Sequence, residues 1–255
     1  MELVPEVFYT ICKHFFLEDG RKKEFSLPSR EDTTSDPFVK YLDEKTLTGS
    51  KIKRVIAPPS ISPDLAFFSH SKKNKNVFGL EVKTTKSTTS GINFNSTPPC
   101  GQIVVDIDGT PSTIPCFYLI VQLVDSESGL LEIGSLTMIH GDFINSDFEL
   151  YKQAVGIREK KIDIGSYGDG MDRQRPMFVF PNPLNIAGIR GERSTLISKE
   201  QYKFDKLGKV AELNRLNGEK FFAYQTVRQL EGPFTSVNRS KETRKRSILK
   251  INTDK

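Results

Sequence analysis

The chain has 255 residues, with 37 Lys and Arg against 32 Asp and Glu, a formal net charge of +5 and a sequence pI near 9.0. Hydrophobic residues make up 36% and charged residues 27%; no run of about 18 apolar residues is present, so a helical membrane span is excluded. The length suits one large domain over 1–255 with a sizeable buried core, and the basic balance suits a polyanionic partner.

Residues Met1 to Glu6 lack the basic start and apolar core of a signal peptide, which leads us to expect a cytoplasmic protein. Cys12, Cys100 and Cys116 are an odd set without a Cys-x-x-Cys pair, so they read as reduced thiols and support neither a disulfide framework nor a zinc site. His14, His70 and His140 show no metal-ligand spacing. A Gly-x-x-x-x-Gly-Lys-Ser/Thr loop is absent, so no nucleotide cofactor is expected.

Taken in chain order, Val4 to Leu17 reads as an amphipathic helix, with Val7, Phe8, Ile11, Phe15 and Phe16 apolar and Gly20 near its end. Ser26 to Asp36 is polar and reads as a loop, and Phe38 to Leu47 as a second short helix. Lys53 to Ile56 reads as a strand.

Two strand-like runs follow. In Ile61 to Phe68 the proline of Pro63-Asp64 stands at the strand start, where its missing N–H is tolerated. In Val77 to Lys83, alternation puts Phe78, Leu80 and Val82 on one face and Val77, Gly79, Glu81 and Lys83 on the other. The link between them, residues 70–76, is polar and turn-prone, so an antiparallel hairpin that brings Asp64 near Glu81 is expected. Its lysines, Lys72, Lys73 and Lys75, are candidates for contact with a phosphate backbone.

Two carboxylates with a lysine beside them have a definite chemistry. Mg2+ prefers hard oxygen ligands and keeps several waters, so Asp64 and Glu81 with a substrate phosphate make a natural set. Lys83, on the face of Glu81, can hold a water and offset charge on a phosphoryl transition state. A Pro-Asp pair or a Glu-x-Lys triplet alone arises by chance about once in a chain this long. Asp43-Glu44-Lys45 and Glu159-Lys160-Lys161 are such decoys, and neither ends an apolar run behind a Pro-Asp strand.

Pro63-Asp64 with Glu81-Val82-Lys83 resembles the PD-(D/E)xK nuclease superfamily, and a free-standing chain of this size most resembles a type II restriction endonuclease. The resemblance implies an α/β restriction-endonuclease-like core, a mixed central β-sheet flanked by α-helices, over about residues 50–140. It further implies hydrolysis of double-stranded DNA to 5′-phosphate and 3′-hydroxyl ends with Mg2+ as cofactor. Asp64 and Glu81 correspond to the metal-binding acids and Lys83 to the catalytic lysine; Glu6 or Glu18 is open as the early-helix acid that many members add. A structure-specific repair or recombination nuclease, and a DNA-binding protein that keeps the fold without turnover, are the other readings of the same pattern.

Beyond this motif, Thr84, Thr85, Lys86, Asn93, Asn95, Ser96 and Gln102 form a hydroxyl- and amide-rich stretch suited to phosphates and adenine edges, or to a plain loop. Cys116 to Val124 reads as a buried strand, and Leu130 to His140 as a strand pair or a strand and turn. Residues 141–198 are rich enough in Gly, Pro and charge for an inserted recognition lobe. Within it, Arg173, Gln174 and Arg175 suit guanine recognition in a groove, with salt bridges to Asp169 or Asp172 the alternative. Lys199 to Lys220 is predicted helical, with Leu207, Val210, Leu213 and Leu216 on one stripe. Residues 239–255 form a basic tail. A palindromic DNA target would be read by a homodimer with one site per strand.

Overall fold

In the computed structural model, residues 3–16, 21–28, 35–58, 61–69, 76–85, 91–93, 100–146, 177–179, 194–215, 218–226 and 237–239 are described. Helix α1 (Leu3–Phe15) leads the chain, with Leu3, Val7, Phe8, Ile11, Cys12 and Phe15 buried at helical spacing along one stripe. Pro5 sits in the first turn, where no hydrogen bond is lost, and Lys13 and His14 lie in the last turn. Helix α2 (Ser35–Tyr41) runs on into a π-helical turn, Leu42–Thr46. Arg54 clamps that turn to the sheet: its Nη2 donates to the Asp43 carbonyl at 2.7 Å, and its guanidinium pairs with the Asp43 carboxylate.

Twelve strands are described: β1 (Lys53–Ile56), β2 (Leu65–Phe68), β3 (Val77–Thr85), β4 (Gly91–Asn93), β5 (Gln102–Ile107), β6 (Thr110–Asp125), β7 (Leu131–His140), β8 (Met177–Val179), β9 (Ser194–Ser198), β10 (Leu207–Asn214), β11 (Lys220–Thr226) and β12 (Val237–Arg239). Ten of them form one mixed sheet in the order β1-β2-β3-β6-β7-β9-β11-β10-β12, with β5 paired to the first half of β6. β4 and β8 make a separate two-stranded pair. The architecture is α/β, with a large mixed sheet and few helices.

The sheet has two buried faces. On one, Phe78, Leu80, Val82, Phe117, Leu119 and Val121 pack under α1 and α2 with Phe15, Phe25 and Phe38. Phe15 and Phe38 stack with centroids 5.7 Å apart, and Phe25 exchanges backbone hydrogen bonds of 2.9 and 2.8 Å with Leu131, which ties residues 21–28 to β7. On the other face, Cys116, Tyr118 and Ile120 pack with Phe143 and Ile144 of the helical residues 141–146. β3 and β6 are parallel, Glu81 beside Tyr118 and Lys83 beside Ile120. This second face carries Glu81 and Lys83.

Several expected elements differ in detail. Strand β2 begins at Leu65, and residues 62–64 form a bend that includes a cis Ser62–Pro63 peptide. Leu131–His140 is one unbroken strand. The helix expected over Lys199 to Lys220 is absent: Leu207–Asn214 is strand β10, followed by a turn through Gly218 into β11. A register shift between Lys209 and Ala211 puts Leu207 in one core cluster and Val210 and Leu213 in the other. A bulged strand buried on both faces thus mimics the three-residue spacing of a helix. β9, within the stretch expected as an insertion, lies in the centre of the sheet between β7 and β11.

Candidate active site

β2 and β3 form the expected antiparallel hairpin, with Leu65 opposite Leu80 and Phe68 opposite Val77. Asp64, one step before β2, therefore comes to the level of Glu81, whose side chain is on the face opposite Leu80. The pairing with β2 ends at Leu80, and the Val82 N–H beyond it is taken by Asp64 Oδ2 at 2.6 Å. A main-chain donor that lacked a ladder partner is thereby satisfied, and the Asp64 carboxylate is fixed in place. The backbone of Asp64 is held as well, because its carbonyl accepts from Ala57 N at 2.9 Å.

Glycine at position 79 gives this arrangement its room. A Cβ there would lie 2.9 Å from Pro63 Cγ and 3.2 Å from Ile103 Cγ2, so the Pro63 ring packs on the bare backbone of β3. Glu81 is buried, at 7% exposure, and Lys83 Nζ lies 3.6 Å from its Oε2. Lys83 remains part-exposed.

Electrostatics at the site are those of two acids held close in a poorly solvated place. Burial pushes the Asp64 carboxyl up to about 6; the Val82 N–H opposes this and the Glu81 charge reinforces it. The Glu81 charge repels that of Asp64, and partial withdrawal from water strengthens the effect. One ammonium, Lys83, partly offsets that repulsion. Cys116, on the next strand, has its thiol pushed up by burial and by the Glu81 charge, which makes it a packing residue here and not a nucleophile.

The donor set fits a hard divalent cation. Two carboxylates with residual mutual repulsion could hold Mg2+, which takes hard oxygen ligands. Among the described residues no group of three or more His, Cys, Asp or Glu converges to hold a metal. Asp64 and Glu81 are the two described acids of this site that could hold such an ion.

A further acid acts on this site through space. Asp36, exposed in the first turn of α2, raises the Asp64 carboxyl. Sequence reasoning missed it, although Ser35-Asp36-Pro37 ahead of Phe38 is an ordinary helix-start signal. Glu6 lies on α1, which packs against β7, β9 and the π-helical turn; its charge is not among those that shift Asp64. Glu18 lies outside the described residues.

Of the proposed DNA contacts, Thr84 and Thr85 continue β3 past Lys83 and are half-buried. Asn93 ends β4, paired with Met177 of β8. Gln102 is exposed at the start of β5, level with Pro115 and so towards the Gly79 end of β3; it does not join Lys83. Lys72, Lys73, Lys75, Lys86, Asn95, Ser96, Arg173, Gln174 and Arg175 lie outside the described residues. No helix among the described residues is long and apolar enough to cross a membrane. No protein-family model matches the chain, and no curated protein or solved structure is significantly similar to it.

Proposed function

We propose that the protein is a Mg2+-dependent endonuclease of the PD-(D/E)xK type that hydrolyses phosphodiester bonds in double-stranded DNA at a specific sequence. One observation carries this reading: Asp64 and Glu81 meet across the β2–β3 hairpin with Lys83 Nζ 3.6 Å from Glu81 Oε2. The ammonium belongs beside the acids in this chemistry, and Glu81 is buried where the acid of an ordinary surface pair would be exposed.

The roles follow from position. Bound between Asp64 and Glu81, Mg2+ would polarise a phosphoryl oxygen and acidify a water. Asp64, pinned through Oδ2 by the Val82 N–H, presents a fixed oxygen at no further cost in side-chain ordering. Glu81 is held by burial and by Lys83. Lys83 orients the attacking water and stabilises charge that builds on the phosphoryl oxygens. Water adds to phosphorus, the 3′ oxygen leaves with a proton, and the products carry 5′-phosphate and 3′-hydroxyl ends. The net charge of +5 favours a polyanionic substrate.

Incubation of the protein with sequenced plasmid DNA, in Mg2+ and in EDTA, tests the reading. Discrete fragments in Mg2+ and intact plasmid in EDTA are expected. Binding without cleavage across several unmethylated duplexes would reject it in favour of a DNA-binding protein, and cleavage of branched DNA only in favour of a structure-specific nuclease.

A further inference from the structure

β3 and β6 run parallel, and in α/β sheets substrates gather outside the carboxyl ends of such strands. Along that direction the face that carries Glu81 and Lys83 changes character. Level with Glu81 it is apolar across the sheet, through Tyr118, Ile139 and Ile197. Level with Lys83 it turns polar at β7: Thr137, Thr195 and Gln225 are buried in a row, and Gln225 Nε2 donates to Thr195 Oγ1 at 3.3 Å. One step further come Thr85, Gln122 and Ser135. Burying hydroxyl and amide groups costs free energy that a face used only for packing avoids.

Gln122, half-exposed on the strand next to Lys83, is held in one pose. The pairing of β6 with β7 shifts register after Gln122, which makes Gly134 a bulge residue beside it. A Cβ at Gly134 would lie 3.0 Å from Gln122 Oε1 and 2.9 Å from Val124 Cγ1, so the carboxamide rests on bare backbone. Ser135, fully buried, donates from Oγ to Gln122 Oε1 at 3.3 Å. With its oxygen engaged, the amide recognises acceptors through Nε2, and at a site that cuts a nucleic-acid backbone the nearest acceptors are phosphate oxygens. Gln122 pairs with Thr85, two residues past Lys83; two residues along a strand advance about 6.6 Å, close to the separation of successive phosphates on one strand.

We propose that Gln122 binds the phosphate adjacent to the scissile one, donating from Nε2 to a non-bridging oxygen, with Ser135 and the Gly134 bulge positioning the amide. The proposal rests on the nuclease reading and adds to it a strand anchor on β6, outside the motif of β2 and β3.

Cleavage under single-turnover conditions tests it as a double-mutant cycle between Gln122→Leu and the DNA. In two duplexes carrying the target, the phosphate on one side or the other of the scissile one is replaced by an uncharged methylphosphonate. On unmodified duplex at subsaturating protein, Gln122→Leu should cut about 10- to 100-fold more slowly than the parent, and Gln122→Glu, which adds a negative charge, more slowly still. At one of the two positions the methylphosphonate should slow the parent by a similar factor and Gln122→Leu by no more than about twofold, whereas a structural role leaves the two losses additive. Circular dichroism melts verify that the variants fold. Gln122→Leu within about twofold of the parental rate, or additive losses at both positions, overturns the proposal and leaves the nuclease reading standing; a parent that cuts no DNA in Mg2+ removes that reading and this proposal with it.

Discussion

Replacing Gly79 with alanine tests how the site is built without touching any residue proposed to bind metal or substrate. The new Cβ would stand 2.9 Å from Pro63 Cγ, 3.0 Å from Pro63 Cβ and 3.2 Å from Ile103 Cγ2. Carbon atoms at rest lie about 3.5–4 Å apart, so Pro63 must retreat by about 0.5 Å or more. A proline ring cannot swing aside by rotamer change, and the displacement passes directly to Asp64 and to its 2.6 Å bond with Val82 N. Overpacking of this kind costs about 1–3 kcal/mol, a fall in Tm of roughly 2–8 °C for a chain of this size. If a 1 Å misplacement costs about 100-fold in rate, half of that costs about tenfold. Urea unfolding and single-turnover DNA cleavage measure the two effects. Gly109→Ala is the control: its Cβ meets nothing within 4 Å, but its φ of +80° is strained for alanine, so it should lose stability and keep its cleavage rate. A Gly79→Ala protein within about twofold of parental rate and 0.5 kcal/mol of parental stability would refute the close packing on which the site rests.

Two other perturbations probe the frame. Arg54→Ala removes hydrogen bonds to the Asp43 carbonyl and to the Leu47 carbonyl, 2.7 and 3.2 Å long, together with the ion pair to Asp43; a loss of about 1–3 kcal/mol is expected in urea unfolding, and no loss would show that the π-helical turn is held otherwise. His140 gives a pH dependence. Burial holds it at about 4, with Lys199 pulling the same way and Asp142 and Glu219 against, and its Nδ1 accepts from Asp142 N at 3.1 Å. The folded state therefore binds fewer protons than the unfolded state between pH 6.5 and about 4, so stability falls as pH drops through that window and is unaffected above it. At pH 5 the cost is about 2 kcal/mol. His140→Gln should flatten that part of the profile, and an unchanged slope would mean that His140 is protonated in the fold.

Much of the site was legible because it is local. The alternation in Val77 to Lys83 and the polar link before it fix which residues of β3 share a face and that β2 returns beside it, and Lys53–Ile56 was equally plain. What escaped reading depends on distant partners or on phase shifts. The Leu207, Val210, Leu213 spacing suggested a helix because a bulge advances the strand by one residue, and only the flanking strands β11 and β12 reveal it. The Asp108-Gly109 turn is a readable hairpin signal, and it lies in residues 103–115, for which no element was expected. Asp36 reaches Asp64 only because α2 packs against β3, a contact that spacing along the chain does not announce. The Pro63–Gly79 contact likewise needs the folded hairpin.

Lys83 is proposed to act in the chemical step, beside two acids proposed to bind metal. Single-turnover cleavage of a duplex carrying the target, with Lys83→Ala beside the parent and DNA affinity measured in Ca2+, tests it most directly. A rate lower by about 100- to 10,000-fold is expected, with affinity changed by no more than a few-fold. A variant that cleaves at the parental rate would contradict it.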